Sequence, residues 1–190
     1  MRNKLVAIVQ ARLGSTRLPG KVLKEINGKS LIEILLYRLS QSKKINKIML
    51  ATSINLENNK LEDVVKNAGY DVFRGSEDDV LDRYYQAARR LGVDVVMRVT
   101  SDCPLIDPDI CAQVIDLRDR LGVDFATNNT PVAWPHGLDC EVFTFDLLEK
   151  SAAEDERDWA REHVTDKMRL DKNLSRASLP GPGGAFVHQR

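Results

Sequence analysis

One short segment of this chain concentrates anion-binding chemistry: Gln10-Ala-Arg-Leu-Gly-Ser-Thr-Arg-Leu-Pro-Gly-Lys21. Gly14 and Gly20, with Ser15 and Thr16 between them, let backbone N–H groups come close to an anion. Arg12, Arg17 and Lys21 add positive charge from the same few residues. Three cations on one loop suit a polyphosphate better than a single phosphate. The segment follows the apolar run Leu5-Val-Ala-Ile-Val9, where an α/β protein places a phosphate-binding loop after its first strand.

Two common nucleotide fingerprints are excluded. A Walker loop has four residues between its glycines and a Ser or Thr after its lysine. Here five residues separate Gly14 from Gly20, and Val22 follows Lys21. The dinucleotide pattern G-x-G-x-x-G is absent as well. A second cluster, Arg98-Val-Thr-Ser-Asp102-Cys-Pro-Leu-Ile-Asp107-Pro108, ends a strongly apolar run. Open parallel sheets bind ligands at such strand ends. A carboxylate there can hold magnesium against a phosphate, because magnesium needs few protein oxygens when phosphates and water supply the rest. Asp107 is read as the cap of the helix that Pro108 opens.

The loop resembles the signature segment of the CMP-sugar-acid synthetases, the acylneuraminate and KDO cytidylyltransferase superfamily, in which A-R-x-x-S-T-R-L-P-G-K holds the triphosphate of the incoming nucleotide. Within that superfamily the resemblance is to the spore-coat polysaccharide biosynthesis group. It implies a magnesium-dependent enzyme that couples CTP to a sugar acid or similar anionic acceptor and releases pyrophosphate. Arg12, Lys21 and Asp102 become the catalytic set, with Asp102 the magnesium ligand. Arg12, Gly14, Ser15, Arg17, Lys21, Arg74, Ser76 and Thr100 become nucleotide contacts, and Arg83 a partner for a phosphate or a substrate carboxylate. His136, Asp139, Glu141, Arg161 and His163 are implied on the acceptor side. The choice of cytosine rests on the resemblance alone. A homodimer is implied in the same way.

These groups need a frame, and the chain alternates strand-like and helix-like segments from its start. The expected strands are Lys4 to Gln10, Lys47 to Thr52, Tyr70 to Arg74, Asp94 to Val99, Asp124 to Thr127 and Cys140 to Phe145. The run at Asp94 is continuous enough to be the sheet centre, and the last strand is read as antiparallel at a sheet edge. Expected helices are Ser30 to Ser40, with Ser30 and Glu33 as a capping box, then Asn58 to Ala68, Asp79 to Leu91 and Pro108 to Leu121. Asp146 to Ala153 and Asp155 to Leu170 complete the set. In the last of these, Arg161 and Thr165 would share one helical face. The result is a single domain over 1–190, a three-layer α/β/α Rossmann-like fold with a mainly parallel sheet.

Lys and Arg number 28 and Asp and Glu 28, so no overall charge favours nucleic acid or an anionic membrane, and the anion site must be local. Three cysteines without ligand spacing fit a reducing cytosol and argue against zinc. No signal peptide or membrane span is read, and a cytoplasmic protein is expected. A strand is expected to begin at Ala185. Relatives of the resembled kind continue from there with a V-D-T-P-E-D-like motif that brings a second carboxylate, so a C-terminal truncation is expected. Two rival functions follow. A nucleotide-sugar-dependent glycosyltransferase would need a D-x-D motif that Ser101-Asp102-Cys103 does not supply, and a nucleotide-binding remnant would bind CTP with little turnover.

Overall fold

The computed structural model describes residues 4–15 and 18–182. Arg17 and the strand expected at Ala185 lie outside them. Five apolar residues in a row, all of them buried, make β1 (Leu5–Gln10) a strand covered on both faces. It pairs in parallel with β4 (Lys47–Ser53) on one side and β6 (Val95–Thr100) on the other. Alternate residues serve opposite layers. Leu5, Ala7 and Val9 join one core, Val6 and Ile8 the other.

The first core is closed by α1 (Leu31–Ser40), α2 (Asn59–Asn67) and α4 (Pro108–Leu121), through residues such as Leu35, Leu61 and Val114. The second is closed by α3 (Val80–Leu91), α5 (Phe145–Glu154) and the short helices α6 (Asp158–His163) and α7 (Asp166–Leu170). These are the three expected layers. Local rules set the helix starts. The expected capping box forms in α1, where Ser30 Oγ accepts from the Glu33 N–H at 3.3 Å and the Ser30 N–H donates to Glu33 at 2.9 Å. Asp107 caps α4 through the N–H groups of Asp109 and Ile110 at 2.8 and 3.0 Å.

Three features depart from expectation. A two-stranded hairpin of β2 (Glu25–Ile26) and β3 (Lys29–Ser30) follows the loop, turning on Asn27 and Gly28, both at positive φ. That Asn-Gly pair is the strongest short-range hairpin signal, and the sequence reading passed over it. Next, β8 (Glu141–Thr144) is antiparallel as expected but is not an edge strand. With β5 (Asp71–Gly75), β7 (Phe125–Thr127) and the unforeseen β9 (Arg176–Ser178), the sheet order is β5-β4-β1-β6-β8-β7-β9. The chain doubles back after β7, so β8 is gripped between β6 and β7 and its Val142 and Phe143 are buried on opposite faces. Finally, the helix expected over Asp155 to Leu170 breaks at Val164, whose φ of 65° stops α6. A β-branched residue at positive φ is strained. The break turns Thr165 out of register with Arg161 and into the sheet end. No described helix is long and apolar enough to cross a membrane.

Candidate active site

The parallel strands β1, β4, β5 and β6 all end on the same side of the sheet, and β6 lies at its centre. A cavity of about 390 Å³ opens beyond the ends of β1 and β6, lined by the loop residues Arg12, Ser15 and Lys21. The β6 end contributes Arg98, Thr100, Ser101 and Asp102, and Arg83 of α3 with Glu162 and His163 of α6 closes the opposite wall. This is the position that open α/β sheets reserve for ligands.

The loop is tied down at both ends. Ser15 and Gly20 both donate N–H groups to the Leu13 carbonyl, at 2.8 and 3.0 Å, and the Leu13 N–H donates to Asn58 Oδ1 at 2.9 Å. Gly20 takes φ 66° before the turn of 3-10 helix Lys21–Leu23 begins, a conformation that glycine adopts without strain. A side chain at Gly14 would sit 2.8 Å from a Glu57 oxygen. Both described loop cations already have carboxylate partners. Arg12 pairs with Glu77 at 2.5 Å, and Lys21 pairs with Asp102. Asp102 remains 46% exposed in that pair, open to a ligand. Burial pushes the Glu77 carboxyl up, but hydrogen bonds and the Arg12 charge outweigh it and hold it below its ordinary value.

Magnesium fits this donor set. Among the described residues no three His, Cys, Asp or Glu side chains gather into a metal cluster. Asp102, paired with Lys21, is an exposed carboxylate with Glu162 on the far wall of the cavity, and it suits a hard ion able to bring its own phosphate and water oxygens.

Below the loop, the floor of the cavity is built differently. Arg98 on β6 faces Glu141 across the β6–β8 register, with Nη1 donating at 2.8 Å and Nε donating to Gln10 at 3.2 Å. Glu141 is 1% exposed and also accepts from Thr165 at 2.9 Å and from Arg169 of α7 at 2.6 Å. Burial pushes the Glu141 carboxyl up, yet the charges of Arg98 and Arg169 prevail and keep it below the ordinary carboxylate range. Thus Glu141 holds side chains together and does not stand free in the cavity.

The other residues read from sequence fall in several places. Arg12, Ser15, Lys21, Thr100, Asp102 and His163 line the cavity. Arg74 does not; its guanidinium is spent on the Ser53 and Asn55 carbonyls, on Asn59 and on Glu62 at 2.7 Å, tying β5 to the start of α2. Ser76 accepts from the Asp79 N–H at 3.0 Å within the turn that starts α3. Arg161 pairs with Asp79 at 2.7 Å and braces α6 on α3, outside the cavity lining. His136 stands 3.4 Å from Asp139 in the loop before β8, and neither is among the residues that line the cavity. The sequence reading missed Arg98, Glu162 and Gln10 as lining groups. Arg98 did leave a signal: it is the one charge inside an otherwise apolar central strand.

Fold and site together define an α/β fold with a basic, glycine-bearing loop after the first strand. Comparison with known proteins narrows the class: a family model described as cytidylyltransferase matches residues 6–174, and the chain belongs to that family. It is 36% identical over 183 residues to the spore coat polysaccharide biosynthesis protein SpsF of Bacillus subtilis, an alignment covering 93% of this chain and 75% of that protein. An uncharacterized protein of Methanocaldococcus jannaschii is 39% identical over 171 residues, 90% of this chain and 69% of the other. The structure of a cytidylyltransferase from Leptospira borgpetersenii superposes with a TM-score of 0.90 at 33% identity, over 95% of this chain and 77% of that one. The CMP:2-keto-3-deoxy-manno-octonic acid synthetase complexed with CTP superposes with a TM-score of 0.74 at 18% identity, covering 96% and 93%, and shares the fold.

Proposed function

We propose that the cavity transfers a cytidylyl group from CTP to an anionic sugar acceptor with release of pyrophosphate. The observation that carries this is the meeting of Arg12, Ser15 and Lys21 with Asp102 in one cavity at the switch between β1 and β6. In this reading Lys21 and Arg17 hold the β- and γ-phosphates and Arg12 lies nearer the α-phosphate. Asp102 would hold magnesium, which supplies charge neutralisation on the nonbridging and leaving oxygens. An acceptor hydroxyl oxygen forms the new bond to the α-phosphorus while the bond to the β-phosphate bridging oxygen breaks, and pyrophosphate leaves. The hydroxyl proton passes to solvent or to a group on the α6 wall, where Glu162 and His163 stand. Binding and orientation by fixed donors do most of this work, since little covalent chemistry is asked of the protein. The acceptor class is drawn from the names of relatives, which include a spore coat polysaccharide protein and 3-deoxy-manno-octulosonate cytidylyltransferases.

The test is pyrophosphate release from each of the four ribonucleoside triphosphates, with magnesium and a panel of acidic sugars. Turnover confined to CTP and to acidic acceptors supports the reading. Binding of CTP with no pyrophosphate release from any acceptor favours a nucleotide-binding protein without turnover.

A further inference from the structure

Strand register carries one polar row across the second half of the sheet. Arg98 of β6 pairs with Glu141 of β8, Glu141 with Thr127 of β7, and Thr127 with Ser178 of β9. Residues paired across neighbouring strands point to the same face, so these side chains follow one another along it. At one end Arg98 lines the active-site cavity. At the other, Thr127 and Ser178 line a second cavity of about 280 Å³, and the two linings share no residue. The buried Glu141 is the partition between them, held by Arg98 at 2.8 Å and by Arg169, which lines the second cavity, at 2.6 Å.

Charge sets this second cavity apart. Its lining carries the guanidinium groups of Arg169 and Arg176 and the hydroxyls of Thr127, Thr130 and Ser178, with no carboxylate. Acids line the other cavities: Asp102 and Glu162 in the active site, Asp116 and Asp119 along α4, and Asp146 and Asp171 beside α5. The two arginines are in contact, since Arg176 donates Nη1 to the carbonyl of Arg169. Arg169 spends Nε and Nη2 on Glu141, which Arg98 already shares, and Arg176 has no carboxylate partner among the described residues. One buried carboxylate therefore answers three arginines, and positive charge is left over on the side of the second cavity.

We infer that this second cavity is a ligand site for the oxyanion group of a small phosphate or carboxylate, held by Arg176 and Arg169 and walled off from the active-site cavity by Glu141. The planar guanidinium of Arg176 keeps Nε and Nη2 for the ligand, and such a fork suits the paired oxygens of either group. Phe125 and Pro131 in the same lining offer an apolar side to the body of an organic ligand. No residue of the active-site cavity takes part, so the site stands whether or not the protein transfers a nucleotidyl group.

The experiment titrates inorganic phosphate into isotope-labelled protein and follows backbone amide signals by NMR. The two cavities report separately, this one through Thr127, Arg176 and Ser178 and the active site through Lys21 and Ser101. In the wild type the first set is expected to shift along a saturating curve. Arg176→Gln should weaken that binding about tenfold, the scale of one charge-assisted contact, and leave the midpoint read at Lys21 and Ser101 within about twofold. A parallel titration with succinate separates the two sources of the oxyanion: tighter binding of succinate assigns the site to an organic acid, and tighter binding of phosphate to a phosphate compound. Sodium chloride at matched ionic strength controls for unspecific attraction. The inference is overturned if the first set shifts no more with phosphate and succinate than with the salt, or if Arg176→Gln binds both as the wild type does. Should Arg176→Gln fail to fold, Arg176→Lys carries the same comparison, because an ammonium keeps the charge but loses the fork, and unchanged binding there would overturn the inference as well.

Discussion

The loop and the floor of one cavity manage positive charge in opposite ways. On the loop, Arg12 and Lys21 are partly exposed and each meets a carboxylate, Glu77 and Asp102, in contacts that water can replace. On the floor, Arg98, Glu141, Thr165 and Arg169 form a network around a fully buried carboxylate, joining the sheet to the α6–α7 corner. Exposed ion pairs exchange partners at little cost, whereas buried ones resist rearrangement. Under the proposed function the comparison teaches a division of labour: the loop would give up its partners to an arriving polyanion, and the floor would keep its geometry while that happens.

The largest effect should follow from breaking the floor. Glu141→Gln leaves the largely buried Arg98 and the partly exposed Arg169 facing a neutral amide, and is expected to cost about 3 kcal/mol of stability, toward the lower end for a broken buried pair. Denaturant unfolding checks it, and a loss under about 0.5 kcal/mol would move Glu141 to the class of surface pairs. A pH arm sharpens the point. The folded Glu141 carboxyl lies below its unfolded value of about 4.3, so its contribution is complete above that pH and is lost as pH falls through the lowered folded value. Thermal midpoints measured from pH 6 down to pH 3 should therefore fall more steeply for the wild type than for Glu141→Gln.

A smaller loss is expected at the loop. Removing the Lys21 ammonium takes away one charge-assisted phosphate contact, about 1.5–3 kcal/mol or ten- to a hundredfold in CTP affinity, with little change in the thermal midpoint.

The smallest effect has the opposite sign. Asp102→Asn releases Lys21 and removes a negative charge from beside the phosphates, so metal-free CTP binding should tighten about two- to fivefold, the scale of an exposed pair. The same variant should lose the gain in affinity that magnesium gives the wild type. Calorimetric titrations with and without a chelator read both changes, and a variant that binds metal-free CTP more weakly would show that the Lys21–Asp102 pair does not restrain the loop.

Much of this division was visible in the sequence, and its limits are physical. The loop could be read because its chemistry is local: glycines, hydroxyls and cations adjacent in the chain after an apolar strand. The same holds for the helix caps at Ser30 and Asp107, which depend on residues a few positions apart. The floor could not be read, since Arg98, Glu141 and Arg169 meet only through the antiparallel return of β8 between β6 and β7. Beyond β7 the sheet is extended by β9, three residues long and half-buried, with almost no apolar signature. Glu141, expected on the acceptor side, proved to be an internal carboxylate because strand pairing turned it toward Arg98. Arg74 followed the same pattern, with partners supplied by the turn after β4 and the start of α2. Val164 shows a third limit. Nothing in the periodicity of Asp155 to Leu170 announces a positive φ at a valine, yet that break delivers Thr165 to Glu141.

The most direct measurement of the central claim is calorimetric titration of CTP, with magnesium, into the wild type, Lys21→Ala and a control variant, Lys44→Ala, whose lysine pairs with Asp116 on α4. The loop account predicts a ten- to hundredfold weaker CTP affinity for Lys21→Ala and an unchanged one for Lys44→Ala, roughly the span expected for one charge-assisted contact. Equal CTP affinity in all three proteins would contradict it.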